Sequence, residues 1–168
     1  MCAILGNVYE CPELLPLTEK RPLATLPFDC KYRLIDFNLS NAINANIKSV
    51  YMVFNQGTTK SVFDHIGGGR EWHLDSVDSR YFIHFYQDFL KKKAEGRPYF
   101  ESVIDYLNKS KSEYTVFMGN RMLCNIDLEA VLKIHQQSDS VMTVVYKKMP
   151  KEQIYRQDEI LEEIGRAH

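Results

Sequence analysis

Short runs rich in β-branched and aromatic residues alternate along this chain with stretches whose apolar residues recur at helical spacing. That alternation restricts the fold more than any other feature. Cys2–Leu5 is short and apolar, Lys48–Phe54 is rich in Val, Tyr and Phe, and Tyr81–Tyr86, Tyr114–Met118 and the continuous run Val141–Tyr146 complete five predicted strands. Between them, Ile35, Leu39, Ala42 and Ile43 predict a helix over 35–45, with Asp36 in its first turn where a carboxylate complements the helix dipole. Further helices are predicted over 59–66, after Pro98 through Phe100, Val103, Ile104 and Leu107, and after an Asp127 cap through Leu128, Val131 and Leu132. A strand–helix–strand order makes neighbouring strands parallel, and near-continuous apolar strands need both faces covered. The expected architecture is therefore a three-layer α/β fold with a mostly parallel sheet. Ligands of such sheets bind outside the carboxyl ends of the strands, which here means near Gly6, Asn7, Asn55, Gln56, Gly119 and Asn120.

A chain of 168 residues, 45% hydrophobic and 12% aromatic, has enough apolar material for one core. Its formal net charge of −1 gives no basis for electrostatic capture of nucleic acid or of an anionic membrane. No stretch reads as a membrane span or a leader, and Cys2, Cys11, Cys30 and Cys124 lack the spacing of a zinc site or the density of a disulfide scaffold. Reduced thiols in a cytoplasmic protein are the simplest reading. Gly67-Gly68-Gly69 follows a predicted helix rather than a strand, so it reads as a C-cap and turn instead of a phosphate loop. Lys91-Lys92-Lys93 reads as a solvated loop, Trp72 as packing, and His135 as a partly exposed helix residue rather than a ligand.

The segment from Leu14 to Asn44, LLPLTEKRPLATLPFDCKYRLIDFNLSNAIN, carries the most specific signal. It resembles the start of the glucose-1-phosphate adenylyltransferases (ADP-glucose pyrophosphorylases), whose pattern runs G-G-G-x-G-T-R-L-x-P-L-T, then K-R-A-K-P-A-V-P-F, then G-G-K-Y-R-L-I-D-F-x-L-S-N. The second and third pieces are retained here; the first is not. Aligned on Pro16-Leu17-Thr18, Asn7, Val8 and Tyr9 fall on glycines, Cys11 on the next glycine, Pro12 on the Thr and Glu13 on the Arg. Glycines let backbone N–H groups converge on a triphosphate, and an Arg offsets charge developing on phosphoryl oxygens, whereas a carboxylate opposes it.

Leu23 stands where the resemblance implies a phosphate-facing Lys. Asn120 stands in place of the Asp of G-D-H-I-Y, to which the family's Mg²⁺ binding is attributed, and an amide is the poorer ligand for a hard cation. The G-T-A-D-A-V piece falls on Pro98-Tyr99-Phe100-Glu101-Ser102-Val103.

The resemblance implies a Rossmann-like, glycosyltransferase-A-like nucleotidyltransferase fold, truncated here: residues 1–168 would be the N-terminal part of the domain, with the family's C-terminal left-handed β-helix domain absent. The ending Glu163–His168 likewise reads as that of a fragment. With Glu13, Leu23 and Asn120 degenerate, the combination resembles a noncatalytic regulatory subunit that needs no cofactor of its own, Mg and ATP being bound by a catalytic glucose-1-phosphate adenylyltransferase partner. Cys124-Asn125-Ile126-Asp127-Leu128 suits that subtype. Lys31, with Arg33, is the expected contact for a sugar-phosphate effector; the competing reading has Arg33 paired with Asp36 or Asp29 to hold the start of the helix. An active adenylyltransferase with a rearranged loop, and a stand-alone sugar-phosphate or nucleotide-binding module, are the alternatives.

Overall fold

A computed structural model describes residues 1–57, 59–76, 79–121 and 123–154. Thr58 of the expected capping loop and the Glu163–His168 ending lie outside them. Two compact units are present, residues 1–132 and 133–168.

The first unit is built on a four-stranded sheet of β1 (Cys2–Asn7), β4 (Ser49–Phe54), β5 (Arg80–Phe85) and β6 (Thr115–Gly119), in the order β5-β4-β1-β6 with every pairing parallel. A two-stranded antiparallel hairpin, β2 (Pro27–Phe28) and β3 (Tyr32–Arg33), stands apart from it. The described residues also form five α-helices: α1 (Leu34–Asn44), α2 (Lys60–Ile66), α3 (Tyr86–Ala94), α4 (Glu101–Ser110) and α5 (Leu128–Gln137).

Successive strand residues point to opposite faces, and both faces are covered. Ala3 and Leu5 of β1 and Val50, Met52 and Phe54 of β4 join Ile35, Leu39 and Ala42 of α1 and Val62 and Ile66 of α2 in one buried cluster. Cys2 and Tyr51 face the other way, against Tyr106, Val103 and Leu107 of α4 and Phe89 of α3. The three-layer α/β sheet expected from the alternation is thus observed. Gly67 closes α2, its N–H bonded to the Phe63 carbonyl at 2.8 Å and its φ at +53°, the C-cap role expected of the glycine run. Trp72 packs against the first cluster, and Asp127 caps α5 through the Ala130 N–H at 2.9 Å.

Two expectations are corrected. Val141–Tyr146 is irregular and exposed, not a strand; β-branched residues favour extended backbone, but a strand also needs a hydrogen-bonded neighbour, and among the described residues this run has none. Lys91-Lys92-Lys93 lies in the last turn of α3 rather than in a loop. Lysine is a good helix former, and cations near a helix C-terminus complement its dipole. No helix among the described residues is long and apolar enough to cross a membrane.

Candidate functional site

Because β1 is central, the chain runs outward through β4 and β5 on one side and returns to place β6 on the other. Strand order therefore reverses between β1 and β6, the position where open α/β sheets hold their ligands. Gly6 pairs with Gly119 and Asn7 with Phe54 at this carboxyl edge, with Asn120 following β6 and Asn55 and Gln56 following β4. All six sequence-predicted pocket residues are accordingly at one end of the sheet. Gly6 leaves room for the Phe117 ring: a Cβ there would sit 2.8 Å from Phe117 Cζ.

The segment after β1 is fastened by its carbonyls. Asn55 Nδ2 donates to the Val8 carbonyl at 2.9 Å and to Glu10 Oε1 at 2.8 Å, and Asn120 Nδ2 donates to the Tyr9 carbonyl at 3.2 Å. The Arg121 guanidinium lies 4.3 Å from the Tyr9 ring centroid. Gln87 of α3 braces the arrangement, accepting the Gln56 N–H at 2.6 Å and donating to Asn55 Oδ1 at 3.3 Å. A phosphate cradle needs converging N–H donors; here the crossing amides hold backbone acceptors on this edge.

Glu13 is exposed in a short 3₁₀ turn and accepts the Cys11 thiol proton at 3.2 Å. Its own backbone N–H, and then the Cys11 thiol, hold the Glu13 carboxyl below the usual carboxylate range; the same contact pushes the Cys11 thiol up. A full negative charge therefore sits on this segment at neutral pH. Leu23 is buried in the 3₁₀ turn Leu23–Thr25 that packs beside α1 and α2, an apolar setting in which an ammonium would need a partner.

Lys31 and Arg33 fall on the β2–β3 hairpin. Lys31 is exposed, with Nζ 5.9 Å from the Tyr32 ring centroid. The Arg33 guanidinium donates to the Tyr32 carbonyl at 3.4 Å, while the Asp36 carboxylate takes the Arg33 backbone N–H at 2.8 Å and His65 Nε2 at 2.6 Å. Asp36 thus caps α1 through the backbone of Arg33 and not through an ion pair with its guanidinium. No described contact joins this hairpin to the carboxyl-edge asparagines.

Sequence reasoning missed Asn38 and Asn41. Both are buried on α1: Asn38 Nδ2 donates to the Gly119 carbonyl at 3.0 Å, and Asn41 bonds the Cys124 carbonyl at 2.9 Å and the Ile126 N–H at 3.1 Å. Asparagine is a poor helix former, so two on one helix face at a spacing of three are a signal that the side chains are used elsewhere.

The donor set does not suit a hard divalent cation. Asn7 Oδ1 and Asn120 Oδ1 are buried without hydrogen-bond partners, but both are neutral amide oxygens, and among the described residues no three His, Cys, Asp or Glu side chains group to hold a metal.

A parallel sheet with its polar groups gathered at a strand-order reversal defines a Rossmann-like α/β protein. More narrowly, the nucleotidyl transferase profile matches residues 12–155, and the chain belongs to that family. It is 36% identical over 162 residues to the glycogen biosynthesis protein GlgD of Bacillus subtilis, covering 92% of this chain and 46% of that protein. Identity to GlgD of Geobacillus stearothermophilus is 34% over 148 residues, 86% of this chain and 43% of the relative. Glucose-1-phosphate adenylyltransferase 1 of Vibrio vulnificus (strain YJ016) is 28% identical over 160 residues, 89% and 38% respectively. The chain spans less than half the length of these curated relatives.

Proposed function

We infer that the chain is part of a catalytically inactive, regulatory subunit of a cytoplasmic glucose-1-phosphate adenylyltransferase serving bacterial glycogen biosynthesis. The observation that carries the reading is the capture of the Val8 and Tyr9 carbonyls by Asn55 and Asn120, which puts acceptors where a triphosphate needs donors. Glu13 in place of a cation adds like charge against a phosphate, and the amide of Asn120 offers magnesium no carboxylate. The relatives named for glycogen biosynthesis and for glucose-1-phosphate adenylyltransferase supply the pathway and the reaction. On this reading Mg and ATP act in a catalytic partner of the same fold, the two subunits form a hetero-oligomer, and the exposed Lys31, with Arg33, meets a sugar-phosphate effector.

The test is pyrophosphate release from ATP and glucose 1-phosphate by the full-length protein, alone and co-expressed with a catalytic homologue. The expected result is none from the protein alone and an altered effector response of the homologue in its presence. Magnesium-dependent release by the protein alone would overturn the reading.

A further inference from the structure

Parallel strands put all their amino ends at one edge of the sheet, and that edge carries a cavity of about 300 Å³. Small-molecule sites begin at about that size. Lys48 and Ser49 line it from the start of β4, Arg80 from the start of β5, and Lys109, Ser110 and Ser112 from the end of α4 and the turn before β6. The charged side chains among its lining residues are all cationic, in a chain with 22 acids against 21 bases.

The walls are pinned by bonds that do not consume the lysines. Ser110 Oγ donates to the Leu107 carbonyl at 2.8 Å and accepts the Ser112 N–H at 3.2 Å, with Lys111 between them at a φ of +50°. On the facing wall the Arg80 N–H donates to the Lys48 carbonyl at 2.9 Å. Asp75, bridged to Arg80 through the backbone, has its carboxylate 3.9 Å from Arg70 Nε. Cations, hydroxyls and a concave wall together are the chemistry that recognises a phosphate group.

We propose that this amino-edge cavity binds a small phosphate-bearing anion, held by Lys48 and Lys109 with the Ser49 hydroxyl as a further donor. It lies at the opposite end of the strands from the candidate nucleotide edge, so it does not depend on whether the protein is catalytic. Calorimetric titration of the protein with inorganic pyrophosphate, and separately with glucose 1-phosphate, tests it.

Saturable binding by the wild type is expected, weakened about tenfold or more in the double variant Lys48→Ala/Lys109→Ala and weakened further as salt is raised. Lys60→Ala, exposed at the start of α2 beyond the carboxyl end of β4, should leave it unchanged. A preference for glucose 1-phosphate over pyrophosphate would assign the site to a sugar phosphate, and the reverse to the bare anion. Affinity unaltered in the double variant, lost equally in Lys60→Ala, or absent for both probes at millimolar concentration would overturn the proposal. Equal melting temperatures of wild type and variants show that any loss is not unfolding.

Discussion

Asp29 and Cys30, which occupy the two glycine positions of the G-G-K-Y-R-L pattern, both have positive φ, +46° and +61°. A side chain in the left-handed region is strained, more so for cysteine than for aspartate, whose short polar group tolerates it. Cys30→Gly should therefore stabilise the fold by about 0.5–1 kcal/mol, the relief of strain exceeding glycine's larger unfolded-state entropy. Denaturant unfolding of the variant checks it.

The opposite sign is expected at Asn120. Replacement by Asp removes the only donor that Asn120 offers the Tyr9 carbonyl and sets a carboxylate against that oxygen. Asn120→Asp should cost about 1–3 kcal/mol and leave pyrophosphate release undetectable, since the preceding segment would still lack its glycines. Activity gained from this single change would mean that the segment is competent to hold a triphosphate.

At the scale of elements, Tyr106 ties α4 to both central strands. The Tyr106 hydroxyl lies 2.9 Å from the Ala3 carbonyl and 2.8 Å from the Ser49 carbonyl, donating its single hydrogen between them, and burial holds its pKa well above the usual phenol value. Tyr106→Phe keeps the ring and should lower stability by about 1–2 kcal/mol, read in the same denaturant experiment. On β5, His84 stacks on Tyr51 with centroids 4.4 Å apart, and desolvation pushes its pKa down, with Asp88 opposing and Lys92 adding. The folded state then binds fewer protons than the unfolded chain as pH falls through the ordinary histidine range near 6.5. Stability from this group should be present above that range and be lost below it, and His84→Phe should flatten this part of the melting profile between pH 7 and 5.

Elements whose partners are close or whose pattern is unambiguous were legible from sequence: the four sheet strands, α1, α2 and α4 all fall within a few residues of their predicted ranges. Lys91-Lys92-Lys93 was not, because charge run and helix propensity coincide in lysine. Neither were the Asn38 and Asn41 bonds, whose partners lie at the end of β6 and just after it and are brought to α1 only by the parallel crossover. The same holds for the site. Strand ends located Gly6, Asn55 and Gly119, whereas capture of the Val8 and Tyr9 carbonyls is a property of backbone direction that no motif spells out.

Across the whole molecule, the two units differ in how their backbones are satisfied. In the first, parallel ladders and buried clusters on both faces tie residues far apart in sequence. In the second, Val141 to Met149 makes no backbone hydrogen bond to another described residue, and Val141, Met142, Val144, Val145 and Tyr146 are all exposed. Apolar exposure of this kind confers no protection, because a protease needs backbone free of hydrogen-bonded structure and this stretch already offers it. Limited trypsin digestion should therefore cut first after Lys147, Lys148 or Lys151, all exposed. The exposed Lys20 should be cut later, since its segment is held by turn hydrogen bonds such as Glu19 N–H to the Pro16 carbonyl at 3.1 Å and leads into the buried Leu23–Thr25 turn. Mass spectrometry of the early products should find a persistent species retaining residues 1–132. Early cleavage after Lys48, where β4 begins, would show instead that the parallel sheet opens as readily as the segment beyond it.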